Sequence, residues 1–325
     1  MRVFAHFLLA IVGTLLLTSL VVGPLWLALQ PVWPDIPFHK LASRLWQLSM
    51  VGGVAFIVWR LHLRGKQAWG YALPRPLFLR HLAIGIAVGV VTMTPVAVSV
   101  IGLGLRDWRP TLDGLRWVEL FFSGALTGLA VGFLEETFYR GLLLGALVGG
   151  SGPASRVDAE ATSRAYADRL SGPAHGLISA RGIVLAVLAS SMLYASLHFL
   201  ARARIPAAEV DAFSGLALLA QSLRHFAAPA TMMDSFLALT AVGSLLAMAR
   251  LWTGSIALSI GLHAGWVWVM KIAVGTTWLD PDAPAATLVN PIDGFTGWLV
   301  LGWTLALTCG AWHWRARFAA LRATN

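Results

Sequence analysis

Five ionisable residues lie inside long apolar runs of this 325-residue chain: Glu135, Glu136, Arg140, His198 and His263. A charge near the middle of a membrane span costs at least about 2.5 kcal/mol on insertion scales, so each one calls for a reason. A carboxylate and two imidazoles that meet in a cavity activate water, one group taking its proton while others polarise a carbonyl, as amide hydrolysis requires. Two histidines and one carboxylate are also a catalytic zinc set. Glu135, His198 and His263 are therefore candidates for acid–base work and for metal ligation alike. Plainer readings stand beside these. Glu136 and Arg140 are four apart and neutralise each other on one helix face. His198 precedes Arg202 by one turn, which suits an interfacial position, and a single histidine such as His263 is commonly a hydrogen-bonded core residue. Glu135 has only Phe138 and Tyr139 at the positions where a helical ion pair would form, so its partner must come from another helix.

The elements that carry these residues are membrane spans. The chain is 58% hydrophobic and 12% charged, with a mean hydropathy of +0.73. That composition excludes a soluble enzyme, a nucleic-acid-binding domain and a disordered chain. The expected fold is all-α, one integral-membrane domain over 1–325 with about eight transmembrane helices. Apolar runs fall at Phe4–Leu29, Leu41–Leu61, Leu79–Leu105, Trp117–Gly149, Gly182–Leu200, Met232–Ala249, Leu251–Gly275 and Gly297–Trp314. The first run lacks a signal-peptide cleavage pattern and reads as a retained helix. The fourth is too long for one perpendicular crossing, so a tilt, a bend near Gly128 and Gly132, or an interfacial first piece is expected. Phe213–Ala228 reads as an amphipathic surface helix rather than a ninth span, and Ser151–Arg181 as a polar connection.

The net charge of +9 and pI near 10.7 report topology rather than nucleic acid, because the basic residues lie between the apolar runs. With the loops assigned to alternate sides, fourteen Lys and Arg fall on the side of the N-terminus and nine on the other. The positive-inside rule places both termini in the cytoplasm. Counted from the cytoplasmic ends of their runs, Glu135, His198 and His263 lie about 21, 24 and 18 Å deep, within about one helical turn of each other. Cys309 is the single cysteine, so no internal disulfide is available.

Other ways of cutting peptides inside a membrane leave no trace here: no His-Glu-x-x-His, no Gly-x-Gly-Asp, and no glycine two places before the serine of Ser123-Gly124 or Ser214-Gly215. The chain resembles instead the CAAX protease and bacteriocin-processing (CPBP, or Abi) family of intramembrane endopeptidases, over about Val131 to Trp268, within a core of about 117–275. Glu135-Glu136-Thr137-Phe138-Tyr139-Arg140 matches the family's Glu-Glu-x-x-x-Arg motif. Ser190-Ser191 followed by Tyr194-x-x-x-His198 matches the second motif, with Tyr for Phe. Thr253-Gly254-Ser255-Ile256 and His263 match the third, but Val267 stands where the family has Asn or Asp. The resemblance implies that Glu135 activates water with help from His198, that Glu136 and Arg140 orient Glu135, and that His263 and position 267 stabilise the oxyanion. It also implies a peptide or membrane-protein substrate in the cell membrane, and it leaves both a zinc and a metal-free mechanism open. Val267 removes one oxyanion donor, a loss worth about 10²–10³ in rate, so a degenerate binding or immunity protein is one alternative. A proton-coupled transporter is another, although no inverted repeat supports it.

Overall fold

The computed structural model describes residues 2–60, 65–66, 69–109, 112–149, 180–199, 204–290 and 294–313. Seven described helices are long and apolar enough to cross a bilayer, and the protein is an essentially all-α, multi-pass membrane protein. By contacts the chain falls into two compact units: 1–64 with 149–155 and 195–232, and 65–148 with 156–194 and 233–325.

In the first unit, α1 (Arg2–Leu29) and α2 (Phe38–Arg60) form a hairpin. Val22, Trp26, Phe38, Ala42 and Trp46 bury its closed end, where the Trp26 indole N–H donates to Ile36 O at 2.8 Å. The amphipathic stretch expected near 213–228 is the helix α7 (Ser214–Ala227). Its Leu218 and Leu219 join the same core, and Gly215 lies against Ser19 of α1 so closely that a β-carbon would collide with the Ser19 carbonyl.

The second unit is organised around α9 (Ala257–Thr276), the most buried of the candidate spans. Small residues explain how it is held. Gly85 and Gly89 of α3 (Arg75–Gly102) meet Gly261 and Gly265 of α9, and a β-carbon at Gly85 or Gly89 would lie 2.6 Å from Leu258 O or 2.5 Å from Leu262 O. Glycines four apart form a flat ridge on each helix, so the two backbones touch. On another side, Gly124, Gly128 and Gly132 of α4 (Gly114–Glu136) meet Trp268, Ala264 and Ile260 in turn. Each step of four along α4 is matched by a step of four back along α9, so these helices are antiparallel, whereas α3 and α9 run parallel. Where α3 and α9 end together, the strands β1 (Arg106–Trp108) and β2 (Thr277–Leu279) pair antiparallel. Buried Arg106 fastens this cap, donating to Thr277 Oγ1 at 2.8 Å and to Gly294 O at 3.1 Å.

Two expectations are corrected. The fourth run does not bend at Gly128 or Gly132, which sit in regular helix against α9. Its irregularity is a π-helical segment, Thr137–Leu143, before the short α5 (Leu144–Gly149); there Leu144 N–H donates to Tyr139 O, five residues back. The fifth span, α6 (Ala180–Leu197), stops before His198. The N–H groups of His198 and Phe199 turn back to Ala195 O and Ser196 O, three residues away, closing the helix. The eighth run forms α10, which the described residues cover over Trp298–His313. The Ser151–Arg181 connection lies outside the described residues except for Ala180 and Arg181.

Candidate active site

Four of the five singled-out residues come together in the second unit, where the end of α4 and its π-helical continuation meet the first half of α9. Between α8 (Met233–Thr253) and α9, Gly254 adopts φ +71°, which an L side chain rarely tolerates, and Ser255 Oγ accepts from Ala257 N–H at 3.2 Å. This Thr-Gly-Ser turn starts α9 two helical turns before His263. On the opposite wall the π-helical segment carries Arg140. The loop before α3 braces that segment: Tyr71 hydroxyl lies 2.5 Å from Thr137 Oγ1, and a β-carbon at Gly141 would be 2.8 Å from Trp69 O. Thr137 spends its own proton on Phe133 O, so Tyr71 is the donor. Burial keeps the Tyr71 phenol above its ordinary pKa, although the Thr137 contact pulls the other way, and it stays protonated for that role.

The chemistry is laid out in one chain of contacts. Arg140 Nη1 donates to Glu136 Oε1 at 3.0 Å, and the same oxygen lies 2.9 Å from His263 Nδ1. On the far side of the ring, His263 Nε2 is 3.8 Å from Glu135 Oε2. Exposure separates the members: the side chains of Glu136 and Arg140 are 0% and 1% exposed and that of His263 is 6%, while that of Glu135 is 29%. Glu135 is thus the member that an incoming molecule reaches. Glu136 holds His263 from behind, where a carboxylate on Nδ1 fixes the ring's orientation, and Arg140 in turn holds Glu136.

Sequence reasoning did not find the groups that hold Arg140. Its Nη2 donates to Gly243 O of α8 at 3.0 Å, and its guanidinium lies 4.5 Å from the Tyr194 ring and 5.6 Å from the Tyr139 ring. Tyr194 also meets His263 edge to face at 6.2 Å. The sequence has only four tyrosines, and the two in its ionisable helices were a readable signal. Gly243 gave none, since it offers a backbone carbonyl and room: a β-carbon there would lie 2.9 Å from Ser191 Cβ. Val267 is half-buried one turn beyond His263. His198 belongs to the first unit, in the turn after α6.

Residues 117–269 match the family described as type II CAAX prenyl endopeptidase Rce1-like. Over that segment the chain is similar to that family. No curated protein and no solved structure matches it. The matched segment runs from the first turn of α4 to the middle of α9, so it contains Glu135, Glu136, Arg140 and His263, and the similarity supports a protease acting on peptide in the membrane. A metal fits the donors poorly. A catalytic zinc takes three protein ligands, yet among the described residues no group of three or more His, Cys, Asp or Glu side chains is placed to hold an ion. His263 Nδ1 and Glu136 Oε1 are already engaged with each other.

Proposed function

We propose that the protein hydrolyses peptide bonds inside the membrane, with Glu135 as the base that activates water and His263 as the group that faces the carbonyl oxygen. The observation that supports this reading is the approach of His263 Nε2 to Glu135 Oε2 at 3.8 Å, with the ring held from behind by buried Glu136. A water oxygen placed at about 2.8 Å from each closes that gap. Glu135 takes one water proton as the hydroxide attacks the carbonyl carbon, and His263, acting as the imidazolium whose Nδ1–H is held by Glu136, donates a hydrogen bond from Nε2–H to the oxyanion as it forms. When the tetrahedral intermediate collapses, Glu135 passes the proton to the leaving amide nitrogen; the C–N bond breaks and the site returns to its starting charge. His198 enters this reading on the strength of its motif, as an assistant to Glu135. The test is cleavage of a membrane-peptide library by purified protein, comparing the native chain with Glu135→Gln and His198→Ala.

Two further expectations follow from the donors. Activity should persist after exhaustive dialysis against a chelator, with metal content measured on the same sample; activity lost on chelation and restored by zinc alone would overturn the metal-free reading. At position 267 the family-like amide is missing, and Val267→Asn is expected to raise kcat by on the order of tenfold with little change in KM, because the added donor acts chiefly in the transition state. A gain that persists when Glu135→Gln is added would expose a contaminating protease.

We place both termini and the 151–181 connection on the cytoplasmic side, on the strength of the fourteen-to-nine split of basic residues. Reporter fusions after His313 and within 151–181 should read cytoplasmic, and an external reading at either would reverse the assignment.

A further inference from the structure

A groove of about 500 Å³ runs between α1 and α2, within the first unit and apart from the cluster just described. We propose that it seats one acyl chain of an anionic phospholipid from the surrounding bilayer, with the headgroup held by His6 and Arg60.

The dimensions carry the argument. On α1 the lining runs from His6 to Leu17 and on α2 from Arg60 back to Ser49, twelve residues and so eleven helical steps on each side. At 1.5 Å per residue this is about 16 Å, close to the thickness of one leaflet's hydrocarbon, about half of 30 Å. Both basic residues stand at the same end: Arg60 closes α2 and His6 lies in the first turns of α1, so the charges sit at headgroup level and the blind end near the midplane. In sequence, Arg2 and Arg64 flank the same end.

The walls choose hydrocarbon over a polar guest. Thr14 gives its hydroxyl proton to carbonyls of its own helix, at 2.8 Å to Ala10 O and 2.9 Å to Ile11 O. Ser49 likewise bonds Leu45 O at 2.8 Å and accepts from Thr18 at 2.6 Å. What the groove presents is methyl and methylene surface and the bare backbone of Gly13 and Gly52, where an added β-carbon would meet nothing within 4 Å. About 500 Å³ spread over about 16 Å makes a long, narrow trough that suits a single extended chain. The Arg60 charge at the membrane interface then selects an anionic head, favouring it by about fivefold, with His6 beside it as a hydrogen-bonding partner.

The test uses the full chain reconstituted in vesicles of equal phosphatidylcholine and phosphatidylglycerol, each supplied in turn with a photoreactive acyl chain, followed by peptide mapping and native mass spectrometry. The expected result is one retained phosphatidylglycerol per chain, crosslinked to α1 and α2. Filling the groove with Gly13→Leu and Gly52→Leu should cut that crosslink by about tenfold or more, while Leu16→Trp, an exposed α1 residue outside the groove, leaves it unchanged. His6→Gln with Arg60→Gln should abolish the preference for phosphatidylglycerol and keep the chain crosslink; this pair decides the matter even if the leucine variant fails to fold. Equal capture of both lipids by the native protein, a crosslink indifferent to the leucines, or a protein dimer that the leucines dissolve would each overturn the proposal.

Discussion

Glu135→Gln should reduce peptide cleavage by about 10²–10⁴-fold, the usual contribution of a positioned general base, while leaving resistance to unfolding within about 0.5 kcal/mol of the native chain. Both halves follow from exposure. The Glu135 side chain is 29% exposed, so a neutral head of the same size stays within reach of solvent there. Glutamine keeps the volume and loses only the ability to accept water's proton. Single-turnover rates and denaturant titration on one preparation separate the two effects. Full activity in the variant would remove Glu135 from the mechanism. A large stability loss would mean that its carboxylate is a structural partner first.

Arg140→Leu should behave in the opposite way, losing stability and activity together. Its side chain is 1% exposed and bonds Glu136 Oε1 at 3.0 Å and Gly243 O at 3.0 Å, so leucine leaves a buried carboxylate without its countercharge. Breaking a buried ion pair from one side costs about 3–5 kcal/mol. Glu136, freed from Arg140, would then hold His263 less firmly in its present orientation, and turnover falls with it. Adding Glu136→Leu gives a cycle with a distinct signature: the double variant should recover part of the stability, since no charge is stranded, yet remain inactive because His263 Nδ1 has lost its acceptor. A double variant that cleaves would show that the Glu136–Arg140 pair has no part in positioning the imidazole.

Much of this was legible in the residues. Charges within apolar runs announced Glu135, Glu136, Arg140 and His263 as a group, and their convergence needed only that helices bring similar depths together. The spans were legible because hydropathy is a one-dimensional signal. The ends were not: His198 was counted within a span because Leu197 and Phe199 flank it, whereas the chain had already turned back to Ala195 O. The π-helical segment was also hidden, since Thr137–Leu143 has the composition of ordinary helix and its five-residue hydrogen bonding is set by what it packs against. Gly128 and Gly132 read as weak points of a long helix when their neighbour was unknown. Against Ala264 and Ile260 they are the places where two backbones touch. Contact partners in three dimensions decided each of these, and spacing along one helix does not contain them.

The glycine ridges on both flanks of α9 fix more than its distance from its neighbours. A rotation about its axis, or a slip by one residue, would bring β-carbons of its other residues against the backbone of α3, where Gly261 and Gly265 now lie, and would carry Ala264 away from the space left by Gly128 of α4. The helix therefore has one azimuth and one register, and His263 inherits both. The orientational freedom of the imidazole is surrendered when the chain assembles rather than when a substrate arrives, so that part of the entropic barrier to reaction is already gone before the encounter.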